Sequence, residues 1–176
     1  MGKDKNIVLV GFMGTGKTTV GKVVAKKIGY DFVDVDEVIE KLTGMTIPDI
    51  FAQFGEARFR DIETEVIKLI TKKTKQVIAT GGGAVLREEN IQALRRNGII
   101  FCLEASEEII FERVKNSNYR PLLKVEKPIE RIRELLSQRK PRYSLSDFII
   151  NTDKLTVEEV AEKIINEFER LESGES

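Results

Sequence analysis

The stretch Gly11-Phe12-Met13-Gly14-Thr15-Gly16-Lys17-Thr18 constrains this chain more than any other feature. It satisfies G-x-x-x-x-G-K-[ST], and it follows directly on the apolar run Ile7-Val8-Leu9-Val10. Such a loop works where a strand feeds the N-terminus of a helix. Its glycines let backbone N–H groups turn inward around phosphate oxygens, where side chains would obstruct them, and the helix dipole adds positive potential. A turn that merely connected a strand to a helix would need neither lysine nor threonine at these places. The pattern predicts a nucleotide cradle built from Gly14, Thr15, Gly16, Lys17, Thr18 and Thr19. Lys17 would place a point charge at the β- and γ-phosphates of ATP, and the Thr18 hydroxyl would be a ligand to Mg²⁺.

The rest of the chain agrees with that setting. Short apolar runs at 7–10, 31–35, 76–79, 99–103 and 148–150 alternate with segments of helical spacing. The clearest helical stripe is the last, through Val157, Val160, Ala161, Ile164, Ile165, Phe168 and Leu171, with Thr156 and Glu159 as a capping box. Ser106 before Glu107 and Glu108 marks another helix start. Strand–helix alternation predicts an α/β fold with a parallel sheet covered by helices on both faces, ligands binding at the carboxyl ends of the strands. Residues 1–176 read as one domain without internal repeats, and the polar stretch 115–127 reads as a mobile lid.

Composition narrows the chemistry. Lysine plus arginine and aspartate plus glutamate both number 29, giving zero formal net charge, so the basic excess expected of a nucleic-acid binder is absent. The single cysteine, Cys102, lies in the apolar run Ile99-Ile100-Phe101-Cys102-Leu103 and reads as a buried thiol. One cysteine cannot form a disulfide within the chain, which suits a reducing cytoplasm. With no histidine in the chain, a general base must be a carboxylate, a lysine or the substrate's own phosphate. No run approaches the roughly 18 apolar residues of a membrane span, and the N-terminus lacks the pattern of a signal peptide. The expectation is a soluble cytoplasmic protein, monomeric for want of a heptad or a large apolar stripe.

A candidate acceptor side follows the second and third strands. Asp34 and Asp36, two apart on what reads as a strand, would face one site. There one carboxylate could orient a magnesium-bound water while the other takes a proton from, or orients, an acceptor hydroxyl. Asp36 could equally be a plain N-cap for the helix that follows. Gly81-Gly82-Gly83 would let the backbone pass close to a ligand. Guanidinium groups suit carboxylate and phosphate through paired N–H donors, but spacing alone does not single out Arg60, Arg113, Arg120 and Arg139 from the other arginines.

Taken together, these residues resemble the shikimate kinase family over nearly the whole chain. The resemblance rests on the phosphate loop through Thr19, on Asp34-Val35-Asp36 followed by Ile39-Glu40, Gly44, Ile47, Ile50-Phe51 and Gly55-Glu56, and on Phe59-Arg60-Asp61-Ile62-Glu63. Gly81-Gly82-Gly83-Ala84, Arg120-Pro121-Leu122-Leu123 and Arg139-Lys140-Pro141-Arg142-Tyr143 complete it in order. It implies a three-layer α/β sandwich with a five-stranded parallel sheet, of the P-loop, nucleoside monophosphate kinase-like kind. It also implies ATP-dependent phosphorylation of the small molecule shikimate to shikimate 3-phosphate in chorismate and aromatic amino-acid biosynthesis, with Mg²⁺.

The same resemblance implies roles. Arg60 and Arg139 would hold the substrate carboxylate. Asp36 and the backbone at Gly81, Gly82 and Gly83 would hold ring hydroxyls, with Asp36 as base. Asp34 and Thr18 would serve magnesium. Lys17 and Arg120 would meet the transferring phosphate, and Arg113 would lie against adenine near Asn151-Thr152-Asp153. A kinase of gluconate or of a nucleoside monophosphate is the nearest rival, set aside by the match from Asp34 to Glu63. A nucleotide-dependent switch is the rival of another class, and the Asn-Lys-x-Asp tetrad of guanine-specific switches is missing.

Overall fold

The computed structural model describes residues 4–115 and 126–174. Five strands, β1 (Asn6–Val10), β2 (Asp31–Asp34), β3 (Gln76–Ala79), β4 (Gly98–Glu104) and β5 (Phe148–Asn151), form one sheet in the order β2-β3-β1-β4-β5. Every pairing is parallel, with Val8 opposite Ile78 on one side and Ile100 on the other. The described residues also form seven α-helices: α1 (Lys17–Ile28), α2 (Val35–Thr43), α3 (Ile47–Ile70), α4 (Glu88–Arg96), α5 (Glu107–Val114), α6 (Pro128–Tyr143) and α7 (Val157–Glu172).

The period-2 alternation of the strands divides the core. Val8, Val10, Ile78, Ile100 and Cys102 face a cluster containing Ile39, Ile50, Ile67, Leu94, Ile110 and Ile132. Ile7, Leu9, Val77, Ile99, Phe101 and Leu103 face the opposite layer, made with Val20 and Val24 of α1 and Val160, Ile164 and Phe168 of α7. Both faces of β1 are therefore buried, which is why its sequence is an unbroken apolar run rather than an alternating one. The α7 stripe is buried in its middle, while Val157 and Leu171 at its two ends are exposed. Its capping box forms as expected: Glu159 N–H donates to Thr156 Oγ1 at 3.1 Å, and Thr156 N–H donates to Glu159 Oε1 at 3.0 Å.

The central strand lies between β3 and β4; the connection out of it runs to the edge strand β2, and every later connection runs the opposite way across the sheet. The crevice at the carboxyl end of β1 is thus the switch point where ligands bind in open parallel sheets. The phosphate loop leaves β1 at that point.

One sequence expectation is corrected. The second strand ends at Asp34, and Val35 opens α2 as a fully buried residue, so Asp34 and Asp36 do not share a strand face. Asp34 is the N-cap: its Oδ1 accepts from Asp36 N–H at 2.9 Å and Glu37 N–H at 3.3 Å. Two otherwise unpaired helix donors are satisfied by one carboxylate, and that outweighs the strand pattern. The capping alternative for Asp36 passes to Asp34 on the same evidence.

Candidate active site

The phosphate loop curls between Gly11 and Gly16 before α1 begins. Gly16 occupies the N-cap position at φ 95°, in the left-handed region that L side chains rarely adopt. The Lys17 side chain folds back inside the loop, its Nζ donating to the carbonyls of Gly11 at 2.5 Å and Phe12 at 2.9 Å. Thr15 is buried and donates to Phe12 O at 2.7 Å, so its hydroxyl braces the loop. From the first turn of α1, Thr18 donates to Asp34 Oδ2 at 2.9 Å.

A cavity of about 260 Å³ opens over the loop, bounded by Gly14, Gly16, Lys17, Thr18 and Thr19 on one side. Asp34, Asp36, Gly81 and Gly82 bound it on the other, with Arg113 at its rim. Although Asp36 is not on a strand, the first turn of α2 brings it to the same cavity as Asp34. Arg113, at the end of α5, donates to Gly14 O at 2.8 Å. Asn151 lies elsewhere, lining a neighbouring cavity of about 370 Å³ with Thr15, Glu104 and Asp153. Arg120 and most of the expected lid fall outside the described residues.

Arg60 and Arg139 are brought together although 79 positions separate them in sequence, arriving from α3 and α6 on either side of the glycine run. Both are buried, at 8% and 2% exposure. Arg60 Nη1 pairs with Glu63 Oε1 at 3.0 Å, and Nη2 with the half-exposed Glu56 at 3.3 Å. The Arg139 guanidinium lies over the Phe12 ring, 5.4 Å from its centroid, so α6 is packed against the phosphate loop itself. Arg60 Nε, Glu63 Oε2 and Arg139 Nη1 are buried and make no hydrogen bond among the described residues. Buried polar atoms are costly unless partnered. Guanidinium groups with unused donors have the chemistry to take a planar anion such as a carboxylate.

The glycines are required here by close approach. A Cβ on Gly81 would press on the Asp36 and Glu63 carboxylates, each at 3.1 Å, and one on Gly83 would collide with the Arg60 guanidinium. Glu63 is the residue that sequence reasoning left without a role. It is fully buried, and burial pushes its carboxyl above the ordinary glutamate range, opposed by the neighbouring Arg60 and, more weakly, by Arg139 and Arg87. The only local signal was its i,i+3 spacing from Arg60. Cys102 is buried in β4 with its thiol pushed up to about 12 by burial, an inert core position.

A phosphate cradle at the switch point, with carboxylates lining its cavity and a buried pair of arginines against the adjoining glycine run, defines a P-loop kinase of small anionic acceptors. A family model for shikimate kinase matches residues 13–169. The shikimate kinase of Thermodesulfovibrio yellowstonii is 67% identical over 172 residues, covering 98% of this chain and 99% of that one. That of Thermoanaerobacter pseudethanolicus is 46% identical, covering 97% and 99%. Among solved structures, the Acinetobacter baumannii shikimate kinase in complex with shikimate superposes with a TM-score of 0.93 at 39% identity, covering 97% of this chain and 96% of that one. A gluconokinase from Sinorhizobium meliloti, at 18% identity and TM-score 0.60, shares the fold. The chain belongs to the shikimate kinase family, and its activity is the phosphorylation of shikimate with ATP, a step of aromatic amino-acid biosynthesis.

Proposed function

We propose that the transfer to shikimate, forming shikimate 3-phosphate and ADP, is performed by the residues around the 260 Å³ cavity. The observation that carries this reading is the burial of Arg60 and Arg139 beside Gly81–Gly83, with donors left over for a ligand. Those two arginines take the substrate carboxylate. Asp36 and the backbone of the glycine turn take ring hydroxyls, and Asp36 receives the proton of the attacking hydroxyl. Lys17 exchanges its loop carbonyls for the β- and γ-phosphates, and Arg113 lies along the nucleotide. Arg120 meets the transferring phosphate.

Magnesium fits the donor set. Thr18 Oγ1 and Asp34 Oδ2 are hard oxygen donors 2.9 Å apart next to the cradle, and Mg²⁺ favours one or two such protein groups with phosphates and water supplying the rest. Bound there, the ion would neutralise charge on the phosphates. Thr18 and Asp34 would hold it, and Asp34 would do so while still capping α2. Among the described residues no cluster of three or more acidic or cysteine side chains could hold a metal by itself.

No described helix is long and apolar enough to cross a membrane. From the single cysteine and the balanced charge we read the protein as cytoplasmic and without a nucleic-acid partner, and we take it as a monomer. The experiment for the assignment of roles is calorimetric titration of shikimate into wild type, Arg60→Ala and Arg139→Ala. Binding weakened in both variants supports the arginine pair as the carboxylate receptor, and undiminished binding in either removes that residue from it.

A further inference from the structure

The turn at Gly81–Ala84 contains a peptide that could face either way. Ala84 N–H donates to Gly81 O at 3.2 Å, closing a four-residue turn, and Gly83 stands at φ −98°, ψ 5°. Those are the angles of the third residue in a type I turn. Rotation of the central peptide, between Gly82 and Gly83, would convert the turn to type II. That form needs φ of about +80° at the third residue, which glycine alone adopts freely. Three consecutive glycines, required by the close approach of Asp36, Glu63, Arg139 and Arg60, therefore leave this peptide's direction unspecified by its own sequence.

Something else specifies it. Tyr143, buried in the last turn of α6, donates its hydroxyl to the carbonyl of Gly82 at 2.6 Å. That carbonyl belongs to the central peptide. In a trans peptide the C=O and N–H point in opposite directions, so anchoring the Gly82 oxygen on α6 turns the Gly83 N–H away from it. Among the described residues, no protein acceptor takes that N–H. The adjacent Arg142 makes parallel contacts, its Nε donating to Val85 O at 3.0 Å and its Nη2 to Leu86 O at 3.4 Å, so the end of α6 grips the segment at three carbonyls. Burial, above all, pushes the Tyr143 phenol up to about 12, so it remains a donor at neutral pH.

The geometry points to Tyr143 as a positioning residue for the acceptor: its hydroxyl holds the Gly82–Gly83 peptide in the type I orientation and so presents the Gly83 N–H to a ring hydroxyl of shikimate. This rests on the reading of the glycine turn as part of the acceptor site. Tyr143 itself touches no reacting atom. It acts on that peptide plane from four residues beyond Arg139 on the same helix face, and its hydroxyl also lies within hydrogen-bonding reach of that arginine.

The test is Tyr143→Phe, which removes one oxygen and keeps the ring, assayed for ADP release with each substrate varied. The shikimate KM should rise about fivefold, the worth of one hydrogen bond, with kcat less affected and the ATP KM unchanged within about twofold. A shikimate KM unchanged in the variant, or the two KM values rising together, overturns the role. If the variant does not fold, the amide resonance of Gly83 in the wild-type protein decides. A shift and slowed exchange on saturation with shikimate support the proposal, and an unmoved resonance overturns it. Wild-type protein runs alongside, because failure to phosphorylate shikimate at all would instead overturn the reading on which the proposal rests.

Discussion

The Thr18 hydroxyl donates to Asp34 Oδ2 across 2.9 Å, joining the first turn of α1 to the residue that caps α2. Asp34 therefore has two separable tasks, since its Oδ1 caps while its Oδ2 faces the phosphate loop. Asparagine caps helices about as well as aspartate but carries no charge. Asp34→Asn should melt close to wild type while kcat falls on the order of 100-fold, the scale of losing one electrostatic group at a reacting centre. Asp34→Ala should lose about 1 kcal/mol of stability as well. Thermal melts beside ADP-release assays check both, and full activity in Asp34→Asn would remove the carboxylate from the metal site.

Arg60 and Gly83 are coupled by space. Arg60→Ala should raise the shikimate KM tenfold or more, since removing one member of a buried charge pairing costs about 2–5 kcal/mol. A Cβ at position 83 would press into the Arg60 guanidinium, so Gly83→Ala should move the same parameter in the same direction and leave the ATP KM alone. The double variant Gly83→Ala, Arg60→Ala should be less impaired than the two single effects combined. Full additivity in steady-state kinetics would show that the two residues act independently.

Glu63 gives a pH signature. Burial raises its carboxyl above the ordinary value of 4.5, so the folded protein holds that proton more tightly than the unfolded chain. Its contribution to stability is complete below the unfolded value and is lost as pH rises through the folded one. Between those limits Glu63→Gln should lack this fall. Urea denaturation of both proteins at a series of pH values from about 4 upward measures the difference in slope. Parallel profiles would mean that Arg60 and its neighbours fully offset the burial.

Cys102 is fully buried with its thiol pushed up to about 12. Native protein should resist thiol reagents at neutral pH for as long as it stays folded, then react once denaturant is added. Rapid labelling without denaturant would contradict the packing of β4.

What the sequence disclosed follows from the range of the interactions involved. The phosphate loop was legible because its chemistry is local: Gly11 through Thr18 supply the turn, the charge and the hydroxyl within eight consecutive residues. Strand positions were legible because β1 and β4 are buried on both faces and so read as apolar runs. The end of β2 was misread because Asp-Val-Asp alternates like a strand, whereas the deciding force was a side-chain cap, which leaves the same residues in sequence. Glu63 and Tyr143 are more distant cases. Glu63 is spaced like an ordinary surface partner of Arg60, and only packing reveals its full burial. Tyr143 reaches a carbonyl 61 positions away, a contact no local pattern encodes.

The central claim is tested most directly by ADP release from ATP and Mg²⁺ with shikimate, gluconate, a nucleoside monophosphate or no acceptor. Strong stimulation by shikimate alone is the predicted result. Equal or greater stimulation by gluconate or the nucleotide, or none by any acceptor while ATP still binds, would contradict it.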